Sequence, residues 1–412
     1  MLVLIALRNI FRNRRRTLLS LLVVSVGFVG LLLTAGFVRY SFDGLREAVI
    51  QGGLGHLEVA PASGKDAVPS ATQSGRPPSF QGWRAARDTI EGRPHVRAAG
   101  ASITFSGVAT NGESSGSFIG LAVEPERERR MGMDVKLRGG ANLPEKEASN
   151  GEDRVLLGVG LARTLGAVPG DTLAVLAATP DGSLNAVDMT VEGLFTTGLQ
   201  ELDGRILKTQ VVTAQRLLGT DRVTSLIVGL TDTSATVDAE MDLRHVLAAS
   251  PEPLSVVNWE VRAPFYGQVR ALYAGIFTFL GTIVALLVAL STSNTMLMSV
   301  LERVREFGTL LAIGTSRAQL ARLLIFEALW LALFGGIAGS TFGQGLVMLI
   351  NVLKIDMPPP PGAADPLVLA LAVTPTDFLL IFASMTIILA AAAVPPMLRV
   401  FRLQIVNALG HV

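Results

Sequence analysis

Thr17 to Val38 reads TLLSLLVVSVGFVGLLLTAGFV, an unbroken run without a charged side chain, preceded by Arg14, Arg15 and Arg16 and closed by Arg39. About 20 apolar residues in helical form cross a hydrocarbon core of roughly 30 Å. A charge near the centre of such a helix costs about 2.5–3.5 kcal/mol, so this stretch is read as a membrane span. Three further runs have the same character: Ala271 to Leu301, Ala328 to Leu353 and Phe378 to Leu398. Buried helices of a soluble protein are the alternative, but they seldom reach roughly 20 residues without a charge. Composition agrees, since half of the 412 residues are hydrophobic and only 17% are charged. That is too little charge to cover a soluble protein of this length.

The basic residues orient the spans. Arg8, Arg12, Arg14, Arg15 and Arg16 precede the first, Arg303, Arg305, Arg317 and Arg322 lie between the second and third, and Arg399 and Arg402 follow the fourth. The loop between spans three and four carries Lys354 against Asp356, Asp365 and Asp377. Positive charge stays on the cytoplasmic side, which places both termini and the second loop there. The first run is too long for a signal-peptide core and lacks a small-residue cleavage site before the next charges, so it is read as a retained anchor. The expected plan is a cytoplasmic amphipathic segment (1–16), span one (17–38), an extracytoplasmic domain (39–268) and span two (271–301). A cytoplasmic loop (302–322), span three (328–353), a short external loop (354–377), span four (378–398) and a cytoplasmic tail (399–412) complete it.

Residues 39–268 carry 22 basic and 28 acidic side chains and many turn formers. Pro61 to Ser79 reads as a mobile loop, Phe80 to Glu91 as a helix, and Leu173 to Leu194 as a hairpin turning at Asp181-Gly182. Val223 to Leu230 reads as a strand and Ser234 to Ala249 as an amphipathic helix. The fold class is thus a membrane α-helical protein of four transmembrane helices with a large α+β domain inserted between helices 1 and 2, as one body or two lobes.

Several chemistries are excluded. There is no cysteine, hence no disulfide, thiol catalysis or zinc–thiolate site. His56, His95, His245 and His411 are scattered outside any ligand spacing, and no nucleophile elbow occurs. Gly64-Lys65 lacks the P-loop pattern, so no catalytic residue, metal or cofactor is expected on this chain. A net charge of +1 gives no reason to expect nucleic acid. On span three, Gly335, Gly339 and Gly343 stand four apart, a spacing that lets two helices approach closely within one subunit or between two.

The stretch Asn294 to Arg317, NTMLMSVLERVREFGTLLAIGTSR, reads as a helix leaving the membrane. Glu302 and Glu306 lie one turn apart with Arg303 and Arg305 beside them, and Gly308 and Gly314 are expected to break the helix. It resembles the permeases of the MacB/FtsX/LolC–LolE type of ABC transporter, in their N-x-M-x-x-S-V-x-E-R-x-R-E-x-G-x-x-x-A-x-G signature. Ala6 to Asn9 with Arg16 to Leu19, Gly158 to Asp171 (GVGLARTLGAVPGD) and Pro396 to Leu409 are similar to further segments of that family. Gly55-His56-Leu57-Glu58-Val59 and Gly193 to Asp203 (GLFTTGLQELD) resemble its lipoprotein-releasing branch, whereas Glu302 to Glu306 is closer to the MacB form.

The resemblance implies a permease dimer, homo- or heteromeric, bound to two ABC ATPase subunits that use ATP and Mg, in a bacterial inner membrane. A periplasmic carrier or adaptor protein and membrane lipids are further implied partners. Glu302, Arg303, Arg305, Glu306, Gly308 and Gly314 would couple to the ATPase. Phe28, Leu31, Phe277 and Phe279 are the candidate cargo-facing residues, and the domain would be MacB-like. Extraction of lipidated cargo, efflux of small molecules or peptides, and activation of a cell-wall hydrolase are the functions this implies.

Overall fold

The computed structural model describes residues 2–12, 14–62, 79–133, 135–145, 152–198, 200–357 and 367–402. The chain divides into two compact units, Met1–Asp43 with Val269–Met357 and Val368–Val412, and Gly44–Gln268 with Pro358–Leu367. The loop expected at 61–79 lies almost wholly outside the described residues, as do His411 and the end of the C-terminal motif.

The chain opens with α1 (Leu2–Arg12) and α2 (Arg14–Val49). α2 outruns its apolar stretch because helical hydrogen bonds are satisfied within the helix whatever solvent its side chains meet. Five residues of π-helix, Ile50–Leu54, end it, with Gly53 at φ 118 and Gly55 at φ 66.

The domain then runs β1 (Leu57–Pro61), α3 (Trp83–Glu91), β2 (Val96–Thr110), β3 (Ser115–Val123), α4 (Pro125–Met131), β4 (Lys136–Gly140), β5 (Asp153–Gly158) and α5 (Val159–Leu165). It continues with β6 (Thr172–Ala178), β7 (Leu184–Thr196), α6 (Gln200–Asp203), β8 (Ile206–Gln210), α7 (Val211–Leu218), β9 (Ser225–Leu230), α8 (Thr236–Leu247), β10 (Leu254–Asn258) and α9 (Trp259–Arg262). The ten strands form a single sheet in the order β10-β1-β9-β2-β3-β8-β5-β7-β4, with β6 joining β7 to β2. The path β2-β3-β8-β5-β7-β6 therefore closes on itself. β2 makes this possible by pairing with β9 through residues 96–102 and with β6 through residues 107–110. β2 thus belongs to both parts of the sheet and joins them. Its largest buried cluster includes Phe105, Phe118, Leu157, Val175 and Leu207, and smaller ones form around Leu156 and Phe195 and around Met131 and Met133. The hairpin β6–β7 turns at Gly182, φ 93.

The other unit is completed by α10 (Pro264–Glu302), α11 (Val304–Ala312), α12 (Arg317–Leu353), α13 (Pro375–Ala392) and α14 (Val394–Phe401). Among the described residues four helical stretches are long and apolar enough to cross a membrane: Arg14–Leu54, Pro264–Glu302, Arg317–Leu353 and Pro375–Phe401. The last is interrupted at Ala393, because Pro395 and Pro396 cannot donate to the preceding turn. Its start is secured by a capping box between Thr374 and Asp377.

Gly335, Gly339 and Gly343 meet α2 inside this one chain. A Cβ at these positions would fall 2.5 Å from Val24, 2.7 Å from Phe28 and 2.8 Å from Leu32 respectively. The i, i+4, i+8 rows of the two helices thus run side by side, and the Ser25 hydroxyl donates to the Gly335 carbonyl at 3.1 Å.

Candidate functional site

The signature segment forms a break followed by a short helix. α10 ends at Glu302, Arg303 leaves helical geometry at φ −108 and ψ 16, and α11 runs from Val304 to Ala312. Gly314 at φ 101 terminates it in the left-handed region that favours glycine, and the Ser316–Gln319 capping box starts α12. One expectation is corrected here. Gly308 does not break the helix but is buried within it, and the break falls at Arg303. The stretch 302–322 is helical on both sides of Gly314, as its sequence reads.

Val304 and Phe307 hold α11 down by burial. The charged residues then sort by direction. Arg303 folds inward over the Phe307 ring, 5.1 Å from its centroid. It donates to Glu306 at 2.9 Å and to Glu327 at 3.4 Å. Asn9 of α1 donates to the same Glu327 carboxylate at 2.7 Å. Arg12 of α1 bonds to Glu306. Arg16 grips Glu302 with two parallel bonds of 2.7 Å each, the fork geometry that suits guanidinium and carboxylate. The bond from Arg12 and the second from Arg303 hold the Glu306 carboxyl below the ordinary carboxylate range.

Four of the six candidate coupling residues, Glu302, Arg303, Glu306 and Gly308, are therefore engaged within the chain. Arg305 is exposed, as are Leu310 and Ile313, the latter 83% exposed. Sequence reasoning missed Asn9, Arg12, Arg16 and Glu327 as members of this cluster. Their signal was present: arginines one turn apart before span one, and a lone carboxylate just ahead of the charge-free run at Ala328.

The candidate cargo-facing residues do not form one surface. Phe28 is 1% exposed, packed between α12 and α13 with Val24, Leu32 and Met385, which corrects its assignment. The close approach allowed by Gly339 covers that face of α2. Leu31 packs against the same cluster. Phe277 stands edge-on to Phe37 with centroids 6.2 Å apart, and Phe279 is 66% exposed.

In the domain, the two segments Gly158–Asp171 and Gly193–Asp203 touch. Asp203, 1% exposed, accepts from the Thr196 hydroxyl at 2.5 Å, the Thr197 amide at 2.6 Å and the Thr197 hydroxyl at 2.7 Å. A Cβ on Gly158 would lie 2.4 Å from the Asp203 carbonyl oxygen, so only glycine lets α5 begin there. These residues build the fold.

The family described as "FtsX-like permease C-terminal" matches residues 278–405, and that described as "MacB-like periplasmic core domain" matches residues 17–246. The lipoprotein-releasing system transmembrane protein LolC of Neisseria meningitidis is 24% identical over 82% of this chain and 80% of its own length. The corresponding LolE of Haemophilus influenzae is 21% identical over 80% of this chain and 75% of its own. The macrolide export ATP-binding/permease protein MacB of Rhodopseudomonas palustris is 30% identical over 34% of this chain and 21% of its own. With the core-domain family covering more than half of its length, the chain belongs to the FtsX-like ABC transporter permeases that carry a MacB-like periplasmic core domain.

Proposed function

We propose that this chain is the permease subunit of an ATP-driven complex that extracts lipoproteins or other lipidated cargo from the outer leaflet of a bacterial inner membrane. The observation that carries this reading is extent: two lipoprotein-releasing relatives align over about four fifths of the chain and others over half, while the macrolide exporters align over 34–46%. The Gly55-His56 and Gly193–Asp203 segments support the same branch. Hydrolysis of ATP with Mg falls to two separate ATPase subunits, a second permease completes the dimer, and a periplasmic carrier or adaptor receives the cargo. The MacB-like form of Glu302–Glu306 supports the alternative of small-molecule or peptide efflux.

Acyl chains would reach such a complex sideways through an apolar helix surface. Phe279 offers that surface, together with Leu272, Ile276 and Ile283 of α10. A photo-crosslinker at Phe279 in native membranes is expected to capture acylated protein, and one at Phe28 to react only within its own chain. Capture of phospholipid alone at Phe279, with release of lipoprotein unaffected by Phe279→Asn, moves the assignment to efflux.

The arginine distribution supports a cytoplasmic α11 and an external domain. With Glu113→Cys and Ala318→Cys, both at exposed positions, an impermeant thiol reagent is expected to label the first from outside and the second only after permeabilisation. The reverse pattern overturns the orientation.

A further inference from the structure

The Gly55-His56 pair resembles a family segment, but the resemblance assigns its side chains no task. Gly55 is required by its φ of 66 and by the nearness of β9, where a Cβ would sit 2.4 Å from Ile227. That tight passage sets His56, 7% exposed, between β9 and the last turn of α2. The backbone N–H of Leu230 donates to Nδ1 at 3.2 Å. Nδ1 is thus an acceptor, so the ring proton of a neutral imidazole sits on Nε2. Nε2 lies 3.1 Å from the Thr233 hydroxyl, which donates in turn to Glu47 at 3.4 Å. Gln51 donates to the other Glu47 oxygen at 3.1 Å. The bonds run in one direction, from sheet to helix.

We propose that His56, Thr233 and Glu47 form an acid-released latch that fastens the last turn of α2 to the domain sheet. A second proton on the ring must go to Nδ1, where it confronts the Leu230 N–H, donor against donor. The buried amide then loses its acceptor, and the ring must turn away to relieve the clash. Release is eased by an adjoining cleft of about 590 Å³, lined by His56, Arg97, Thr233, Trp259 and Glu260 among others. The charged groups that act on the ring are Arg46 and Glu47 of α2 and Asp232 after β9, and Arg97 of β2 and Glu260 of α9 line the adjoining cleft.

Burial lowers the tendency of His56 to take up a proton; Glu47 and Asp232 oppose this and Arg46 reinforces it. A histidine depressed in the folded state binds fewer protons there than when unfolded. The latch is therefore fully formed above the ordinary histidine value of 6.5 and is lost as pH falls below it.

Trp259 reports on the latch, because its backbone N–H donates to the His56 carbonyl at 3.1 Å and its ring packs on Tyr266. The test uses the full chain in lipid nanodiscs, with its three tryptophans replaced by 5-fluorotryptophan and followed by fluorine NMR. Between about pH 7.5 and about pH 5, the Trp259 resonance is expected to shift with a midpoint below 6.5. Those of Trp83 and Trp330 are expected to stay in place. His56→Gln removes the shift. Glu47→Gln, which can still accept the Thr233 hydrogen, moves the midpoint to lower pH, and Arg46→Gln moves it higher. The proposal is overturned by no shift at Trp259, by a shift that persists in His56→Gln, or by midpoints that do not move in these opposite directions. Should His56→Gln fail to fold, the opposed pair decides the matter with His56 intact.

Discussion

Glu306→Lys is expected to lower coupling between ATP hydrolysis and cargo release at least tenfold, and adding Arg12→Glu is expected to restore most of the loss. Glu306 accepts from both Arg12 and Arg303, joining α1, α11 and, through Glu327, α12. A lysine there faces two guanidiniums. Two like-charge contacts near 4 Å each cost about 1 kcal/mol in water-like surroundings, together more than the ~1.4 kcal/mol of a tenfold effect. The Arg12–Glu306 pair itself is exposed and screened by solvent, so its loss costs the fold little. The variant should therefore insert and fold while its α11 no longer sits in register. Because its folded-state carboxyl is depressed, Glu306 keeps its contribution above the ordinary value of 4.5 and loses it only in stronger acid. Coupled ATPase and release assays in proteoliposomes decide the matter. If Arg12→Glu brings no recovery, the partner of Glu306 that matters lies on the ATPase. With Glu306 held internally, Arg305 and Ile313 become the proposed points of ATPase contact, and charges around such a contact set its register.

Gly339→Ala is expected to destabilise the membrane unit by ~1–3 kcal/mol, the usual cost of overpacking a well-filled core. The added methyl would sit 2.7 Å from the Phe28 Cβ and 2.9 Å from the Ser25 carbonyl oxygen. Neither atom can move without shifting α2 itself. Gly345, on the same helix, has nothing within 4 Å of its Cβ position. There the same change should be neutral or raise stability by up to ~1 kcal/mol, the ordinary helical preference for alanine. Thermal unfolding in detergent compares the two. Equal behaviour would show that the stripe does not serve contact with α2, and would return the dimer seam as its role.

Charge-free length and arginine position alone determined that this chain has four long apolar helices around a mixed, polar segment. Both are properties of the chain read along one dimension, and bilayer thickness converts them directly into structure. The Asp181-Gly182 turn and the strand ending at Leu230 were equally local, because a turn needs only its own residues. Which face of a helix is covered is not local. Phe28 looked as apolar and as available as Phe279, and only glycines some three hundred residues later turned it inward. The cluster at α11 shows the same division. Glu302, Arg303 and Glu306 were conspicuous in the sequence, but their partners Arg16, Glu327 and Arg12 were set by the packing of α1 and α12 around them. A charge is visible in sequence; its counter-charge is chosen by the tertiary fold, since desolvation and distance decide which pair forms.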